Sequence, residues 1–262
     1  GDYDNDGRQD LVTTAFRGEA SSVYLNDGRG LFTDVALQSG TSTATRPLLG
    51  WGVALFDYDN DGRLDMFMAT GHVQDGVERV DPGTTTAQQN LLLRNEGSGR
   101  FADVSSTSGS GLLLRRQSRG AVVFDYDNDG DLDIAVLNKQ CRIPAGVENG
   151  VDLLRNDSGN RNHWLQVELA AKAPDNEAPG AKHGTSNRDG VGAKVSIWSG
   201  GHLQIREVRC GSGYQSHNDL RLHFGLGKEA RIDSLEVRWP SGYRQVMRDI
   251  QGDRLLRIVE DE

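Results

Sequence analysis

Up to about residue 160 the apolar residues come in short runs bounded by Asp, Asn and Gly. Leu11 to Thr14, Val53 to Phe56, Met66 to Thr70, Ala121 to Phe124 and Ile134 to Leu137 are each too short for a stable helix. They read as strands. A second punctuation follows, Tyr24-Leu25-Asn26-Asp27-Gly28, Leu92-Leu93-Arg94-Asn95-Glu96-Gly97 and Leu153-Leu154-Arg155-Asn156-Asp157-Ser158. The first two continue to Phe32 and Phe101, the signature of strand, Gly/Asn turn and strand. Beyond residue 160 the pattern changes. Trp164 to Leu169 predicts a strand, and Lys172 to Ser186 is a polar linker or long loop. Two-residue alternation then puts Val195 and Ile197, Leu203 and Ile205, Leu220, Leu222 and Phe224, and Leu235, Val237 and Trp239 each on one strand face.

Within the first part, Asp2-Tyr3-Asp4-Asn5-Asp6-Gly7 recurs as Asp57-Tyr58-Asp59-Asn60-Asp61-Gly62 and Asp125-Tyr126-Asp127-Asn128-Asp129-Gly130. The first aspartates stand 55 and 68 residues apart, somewhat more than a propeller blade of roughly 40–50 residues. Turn-rich insertions at Gly71 to Gln89 and Asn138 to Gly150 account for the excess. The predicted fold is all-β, with partial β-propeller blades over 1–160 and a β-sandwich-like domain over 161–262. Only Gly1 precedes the first loop, and three blades do not close a ring. The remaining strands are expected from upstream sequence or from another molecule, and an open blade edge is a template for strand addition.

The loops carry the chemistry. Asp57, Asp59 and Asp61 stand at positions 1, 3 and 5, Gly62 at position 6, Arg63 at 7 and Asp65 at 9. Alternating carboxylates on a tightly curled backbone offer the 6–8 hard oxygens that calcium takes, and glycine permits the sharp turn. Position 7 gives its backbone carbonyl, so Arg8 and Arg63 are free to point outward, and Asp131 needs only its carbonyl. The expected metal residues are Asp2, Asp4, Asp6, Arg8 and Asp10; Asp57, Asp59, Asp61, Arg63 and Asp65; and Asp125, Asp127, Asp129, Asp131 and Asp133. About three Ca2+ ions are implied. Position 12 is Thr13, Met68 or Val136 rather than glutamate, which excludes a helix-loop-helix calcium hand. Magnesium, which keeps its waters, suits such a cage less well. Polar Asx turns alone would not require glycine and the ninth aspartate in register three times.

The net charge of −9 changes meaning once located. Twelve of the 38 acids occupy positions 1, 3, 5 and 9 of the loops, and without them the charge becomes +3. No basic stripe with interleaved aromatics marks a nucleic-acid partner. No apolar run approaches the roughly 20 residues of a membrane span. The 33 glycines among 262 residues suit many tight turns. Cys141 and Cys210 are too few for a disulfide framework; one bridge and two free thiols are both open.

Gly50-Trp51-Gly52 to Asp65, Arg119-Gly120 to Asp133 and the Leu-Arg-Asn turns resemble the FG-GAP-like (VCBS) calcium propeller repeats, also seen in integrin α-subunits. From Asn162-His163-Trp164 onward the chain resembles the ASPIC/UnbV domain. The marks are Asn187-Arg188-Asp189-Gly190-Val191-Gly192-Ala193, Gly211-Ser212-Gly213-Tyr214-Gln215-Ser216, Phe224-Gly225-Leu226-Gly227 and Arg238-Trp239-Pro240-Ser241-Gly242. Their order is similar to that in bacterial relatives of cartilage acidic protein. The resemblance implies a secreted, extracellular calcium-binding protein of matrix, adhesion or recognition roles, with no established catalytic centre.

The leading expectation is a calcium-stabilised extracellular structural or adhesion protein that self-assembles into a fibre or surface layer. The alternatives are a module of a longer secreted protein that binds a receptor or carbohydrate, and a fragment of a polysaccharide-cleaving propeller. Expected partners are calcium, copies of the chain or upstream blades, and an extracellular protein or glycan. His72, His163, His183, His202, His217 and His223 lack metal-ligand spacing, and no serine or cysteine motif accompanies His217 and Asp219. The chain is therefore expected not to be an enzyme. Trp51, Trp164, Trp198 and Trp239 are expected in cores, Asn187 to Gly192 as a tight turn, and Asn156 as a turn residue rather than a glycosylation acceptor.

Overall fold

The computed structural model describes residues 1–139, 150–157, 161–171 and 186–261. In it, three antiparallel meanders are followed by a two-sheet sandwich. The first blade is β1 (Leu11–Thr13), β2 (Ser22–Asn26) and β3 (Phe32–Asp34). Two one-turn helices, α1 (Ala36–Ser39) and α2 (Thr41–Thr45), lead onward through Gly40, whose left-handed φ of 86° lets one helix end where the next begins. The second blade is β4 (Gly50–Phe56), β5 (Asp65–Thr70), β7 (Leu91–Gly97) and β8 (Arg100–Asp103). Its Gly71 to Gln89 insertion ends in β6 (Gln88–Gln89), which pairs with β9 (Arg115–Arg116) on the way to the third blade. That blade is β10 (Ser118–Phe124), β11 (Asp133–Asn138) and β12 (Val151–Leu154).

The middle blade is buried on both faces, which is why β5 reads as an unbroken apolar run. Met66 and Met68 face the first blade with Val23, Leu93 and Phe101. Phe67 and Ala69 face the third with Ala121, Ile134 and Val136. The inner strands approach closely: a Cβ on Gly52 would lie 2.9 Å from the Arg119 carbonyl oxygen, so only glycine fits.

The C-terminal part comprises β13 (His163–Ala170), β14 (Lys194–Ser199), β15 (His202–Glu207), β16 (Leu222–Gly227), β17 (Arg231–Arg238), β18 (Arg244–Gln251) and β19 (Arg254–Val259). Strand order is β16-β13-β19 in one sheet and β15-β14-β17-β18 in the other, with β13 and β19 parallel. Leu165, Val167, Phe224 and Ile258 from one sheet pack on Val195, Ile197, Leu235 and Val237 from the other. The alternating residues thus form one core. Two of the marked positions fall outside their strands, Leu220 ahead of β16 and Trp239 just past β17. Sequence periodicity missed β18 and β19, where Ile250 and Ile258 are the buried apolar residues amid polar and exposed positions. Trp239 is 3% exposed in this core, whereas Trp198 is 37% exposed on the outer face of β14, contrary to expectation. Residues 187–192 form the expected turn, closed by Val191 N–H on Asn187 Oδ1. Cys210 is a free, exposed thiol, and Cys141 lies outside the described residues.

The sandwich sits directly on the blades. Residues 211–219 run along the inner strand β10, with Val123 N–H donating to Asn218 Oδ1 and Asp219 N–H to the Val123 carbonyl. The Tyr214 ring meets Trp51 edge-on at 5.0 Å. Strand β16 is still closer, since a Cβ on Gly225 would lie 2.0 Å from Asp57 Oδ2 and 2.5 Å from the Asn60 carbonyl carbon. We expect Gly225→Ala to cost about 1–3 kcal/mol through this overpacking. Gly150→Ala, with nothing within 4 Å of the added carbon, serves as the silent control, and thermal melts of both variants check the difference.

Candidate metal centres

All three aspartate loops are built alike. The position-1 carboxylate curls the backbone over itself: Asp57 Oδ1 accepts Asp61 N–H at 3.0 Å and Oδ2 accepts Gly62 N–H at 2.7 Å. Asp2 and Asp125 do the same with Asp6 and Gly7 and with Asp129 and Gly130. Tight curling requires positive φ at two places. Asn5, Asn60 and Asn128 at position 4 have φ of 57–59°, and asparagine is among the few non-glycine residues that adopt it readily. The position-6 glycines have φ of 89–93°. The ninth aspartate closes each loop onto its neighbouring hairpin. Asp65 accepts Tyr58 N–H at 3.1 Å and Asn95 N–H at 2.7 Å. Asp10 holds Tyr3 and Asn26, and Asp133 holds Tyr126 and Asn156, in the same way.

The carboxylates converge. Oxygens of Asp2, Asp4 and Asp6, of Asp57, Asp59 and Asp61, and of Asp125, Asp127 and Asp133 lie within 4.8 Å of one another in each group. Asp59 Oδ1 is buried without a hydrogen-bond partner. Oxygen-only donor sets with a buried, unsatisfied carboxylate atom fit a hard cation. Desolvation by burial, then the neighbouring Asp61 and Asp59 charges, pushes Asp57 up to about 8. Burial and Asp57 push Asp65 up to about 9, and burial pushes Asp2 up to about 6.

The arginines at position 7 do not run free into solvent. Arg8 folds back to bond the Asn26 carbonyl and pair with Asp6, and Arg63 bonds the Asn95 carbonyl and pairs with Asp61. The guanidinium is drawn to the nearest carboxylate. Asp131 likewise uses its side chain, which is buried and receives Asn60 Nδ2 at 3.3 Å.

Two asparagines stitch each blade to the next, a role that sequence reading missed. The position-4 residue donates to the position-6 carbonyl of the following loop, Asn5 to Gly62 at 2.9 Å and Asn60 to Gly130 at 3.2 Å. The turn asparagine reaches back to position 2 of the preceding loop, Asn95 to Tyr3 and Asn156 to Tyr58. Asn156 therefore serves the turn and stitch, with its amide engaged. At the end of the series the sandwich takes over: Arg221 donates to Asn128 Oδ1 and the Asp125 carbonyl, and Gln166 to Asp125 Oδ2. His223, buried and lowered to about 4 by desolvation, uses Nε2 on the Gly130 carbonyl. Asp219 pairs with Arg221 rather than with His217.

Two expectations follow. Asp57 and Asp65 bind protons more tightly folded than unfolded, so without metal their contribution to stability is complete below the unfolded value near 3.8 and is lost as pH rises toward about 8 and 9. Calorimetric melts in chelator should show a melting temperature that falls between about pH 5 and pH 8, and saturating divalent cation should abolish that fall. Asn95→Ala leaves the buried Tyr3 and Leu64 carbonyls without this donor and should cost about 2 kcal/mol or more. Denaturant unfolding should show a smaller loss for Asn26→Ala, whose Nδ2 donates to one carbonyl, that of Gln9, rather than to two.

Comparison with known proteins agrees with this geometry. Residues 2–68 and 82–136 match the FG-GAP-like repeat, and residues 183–262 match ASPIC and UnbV. Cartilage acidic protein 1 of Homo sapiens is 27% identical over 267 residues, covering 99% of this chain, and that of Xenopus tropicalis is 28% identical over 252 residues, covering 92%. The chain spans 35% and 33% of the length of these two relatives. It is a protein of FG-GAP-like repeats followed by an ASPIC and UnbV domain, homologous to cartilage acidic protein 1.

Proposed function

We propose that this chain is a calcium-stabilised extracellular structural or adhesion protein, non-enzymatic, organised as a blade domain (1–160) and a sandwich domain (161–262). The observation that carries the reading is the threefold recurrence of one carboxylate cage, stitched to the next blade and, at the second and third loops, pressed against the sandwich. About three Ca2+ ions would be held by Asp2, Asp4, Asp6, the Arg8 carbonyl and Asp10; by Asp57, Asp59, Asp61, the Arg63 carbonyl and Asp65; and by Asp125, Asp127, Asp129, the Asp131 carbonyl and Asp133. The cation supplies compensating charge to carboxylates that otherwise repel one another in a desolvated site.

Coupling follows from position. Asn162 Nδ2 bonds the Asp59 carbonyl, Gly227 N–H bonds the Asn60 carbonyl and Gln166 bonds Asp125, so what orders the loops also orders the platform under the sandwich. Extracellular modules often bind calcium at about 10⁻⁴–10⁻³ M, affinities that keep such sites filled outside a cell. Leu11 and Phe32 on the first blade and Tyr126, Leu137 and Val151 on the third are exposed. These apolar outer faces support association with further blades or further copies.

Titration calorimetry on chelator-treated protein tests the reading. Uptake near three calcium ions per chain is expected, with a rise in melting temperature and loss of about one ion in Asp57→Asn. No uptake at millimolar calcium, or uptake without stabilisation, would overturn it.

A further inference from the structure

Strand β15 lies across two of the three loops. A Cβ on Gly7, position 6 of the first loop, would stand 3.5 Å from Leu203 Cδ2, and one on Gly62, the same position of the second, 3.2 Å from Gln204 Nε2. Successive residues of one strand thus meet different loops, and Gln204 is anchored by its bond to the Gly225 carbonyl at 2.7 Å. Arg206 follows two residues later, on the same face as Gln204. Its guanidinium carbon lies 5.4 Å from the centroid of Phe224, the neighbour of the glycine that packs on Asp57.

Arg206 enters a cavity of about 290 Å³ whose wall includes Asp10 of the first loop and Asp57 of the second. Arg209 and Arg221 also line this cavity, and each has a carboxylate of its own, Glu207 and Asp219. Arg206 has none among the described residues. Its Nη1 donates to the Ile205 carbonyl at 3.0 Å and its Nη2 to Gln204 Oε1 at 3.2 Å, both neutral acceptors. Burial holds the guanidinium below the usual arginine range, and the charges of Asp57 and then Asp2 pull it back up. Its counter-charge is therefore the position-1 carboxylate of two loops, the groups that a bound cation would claim. The third loop is built differently. Its position-1 carboxylate, Asp125, receives the neutral Gln166 amide at 2.6 Å, and Arg221, which bonds the Asp125 carbonyl, is already paired with Asp219.

We propose that Arg206 is an internal counter-cation that sets the calcium affinity of the first and second loops and leaves that of the third alone. The inference rests on the calcium reading of the loops. Without metal, Arg206 compensates part of the charge that Asp2 and Asp57 bring into a desolvated place. A cation entering either loop takes over that charge, repels the guanidinium and leaves it buried without compensation, a cost that the third loop does not meet.

The test follows amide hydrogen exchange across a calcium titration of the 262-residue chain. Gly7, Gly62 and Gly130 N–H each bond the position-1 carboxylate of their own loop, so they report the three loops separately. In Arg206→Gln the calcium midpoint at Gly7 and Gly62 should fall at least about fivefold, while that at Gly130 stays within about twofold. Arg206→Lys, which keeps the charge, should match the wild type. Arg206→Met, which keeps an unbranched stem over Phe224 and drops the charge, takes the place of the Gln variant if that fails to fold. Unmoved midpoints, an equal shift at all three glycines, or a Lys variant that behaves like the Gln variant would overturn the proposal and leave the calcium reading standing. A wild type without calcium-dependent protection at any loop would overturn that reading, and the proposal with it.

Discussion

The constraint on which the rest depends is the crowding of like charges at the ends of the blades. Each loop gathers three carboxylates within 4.8 Å, and at the second loop the surroundings are dry enough to push Asp57 up to about 8. A chain evolved merely to turn would put these groups in water. Here they are wrapped by backbone N–H groups, by neighbouring asparagines and by a second domain. The loops are therefore where the stability of blades and sandwich meets.

The stitches explain how the three blades hold a common arrangement. The first two loops each give an asparagine forward to the next loop's glycine carbonyl and receive one backward at their own position-2 carbonyl. These are neutral amide bonds, individually worth about 1 kcal/mol, but they are geometrically exacting and buried. They set blade spacing, while the apolar residues of β5 on both faces supply the bulk of the cohesion. The sandwich completes the series by placing Arg221, Gln166 and His223 where a fourth loop would otherwise contribute.

Much of the fold was legible in the sequence because its signals are local. Period-two alternation located β14 and β17, and the Asp-Tyr-Asp-Asn-Asp-Gly motif located all three loops with their glycines in the positive-φ conformation. Strands β18 and β19 escaped because an outer strand that buries little besides one isoleucine leaves no alternation to read. Trp198 was misplaced for a related reason: a strand's apolar character does not say which face its largest residue occupies. Arg8 and Arg63 turned back because a nearby carboxylate outweighs open solvent for a guanidinium whose stem is already half-buried.

By itself, the sequence determined which residues form the loops and that they bear oxygen donors in calcium-like spacing, since residue type and short-range spacing dictate both. It also determined an all-β chain with a change of organisation near residue 160. Tertiary structure alone decided that Asn5 and Asn60 join successive loops and that Gly225 must be glycine because Asp57 lies behind it. Those facts depend on groups 57 to 168 residues apart meeting in space, and no local pattern encodes which of many possible meetings the packing selects.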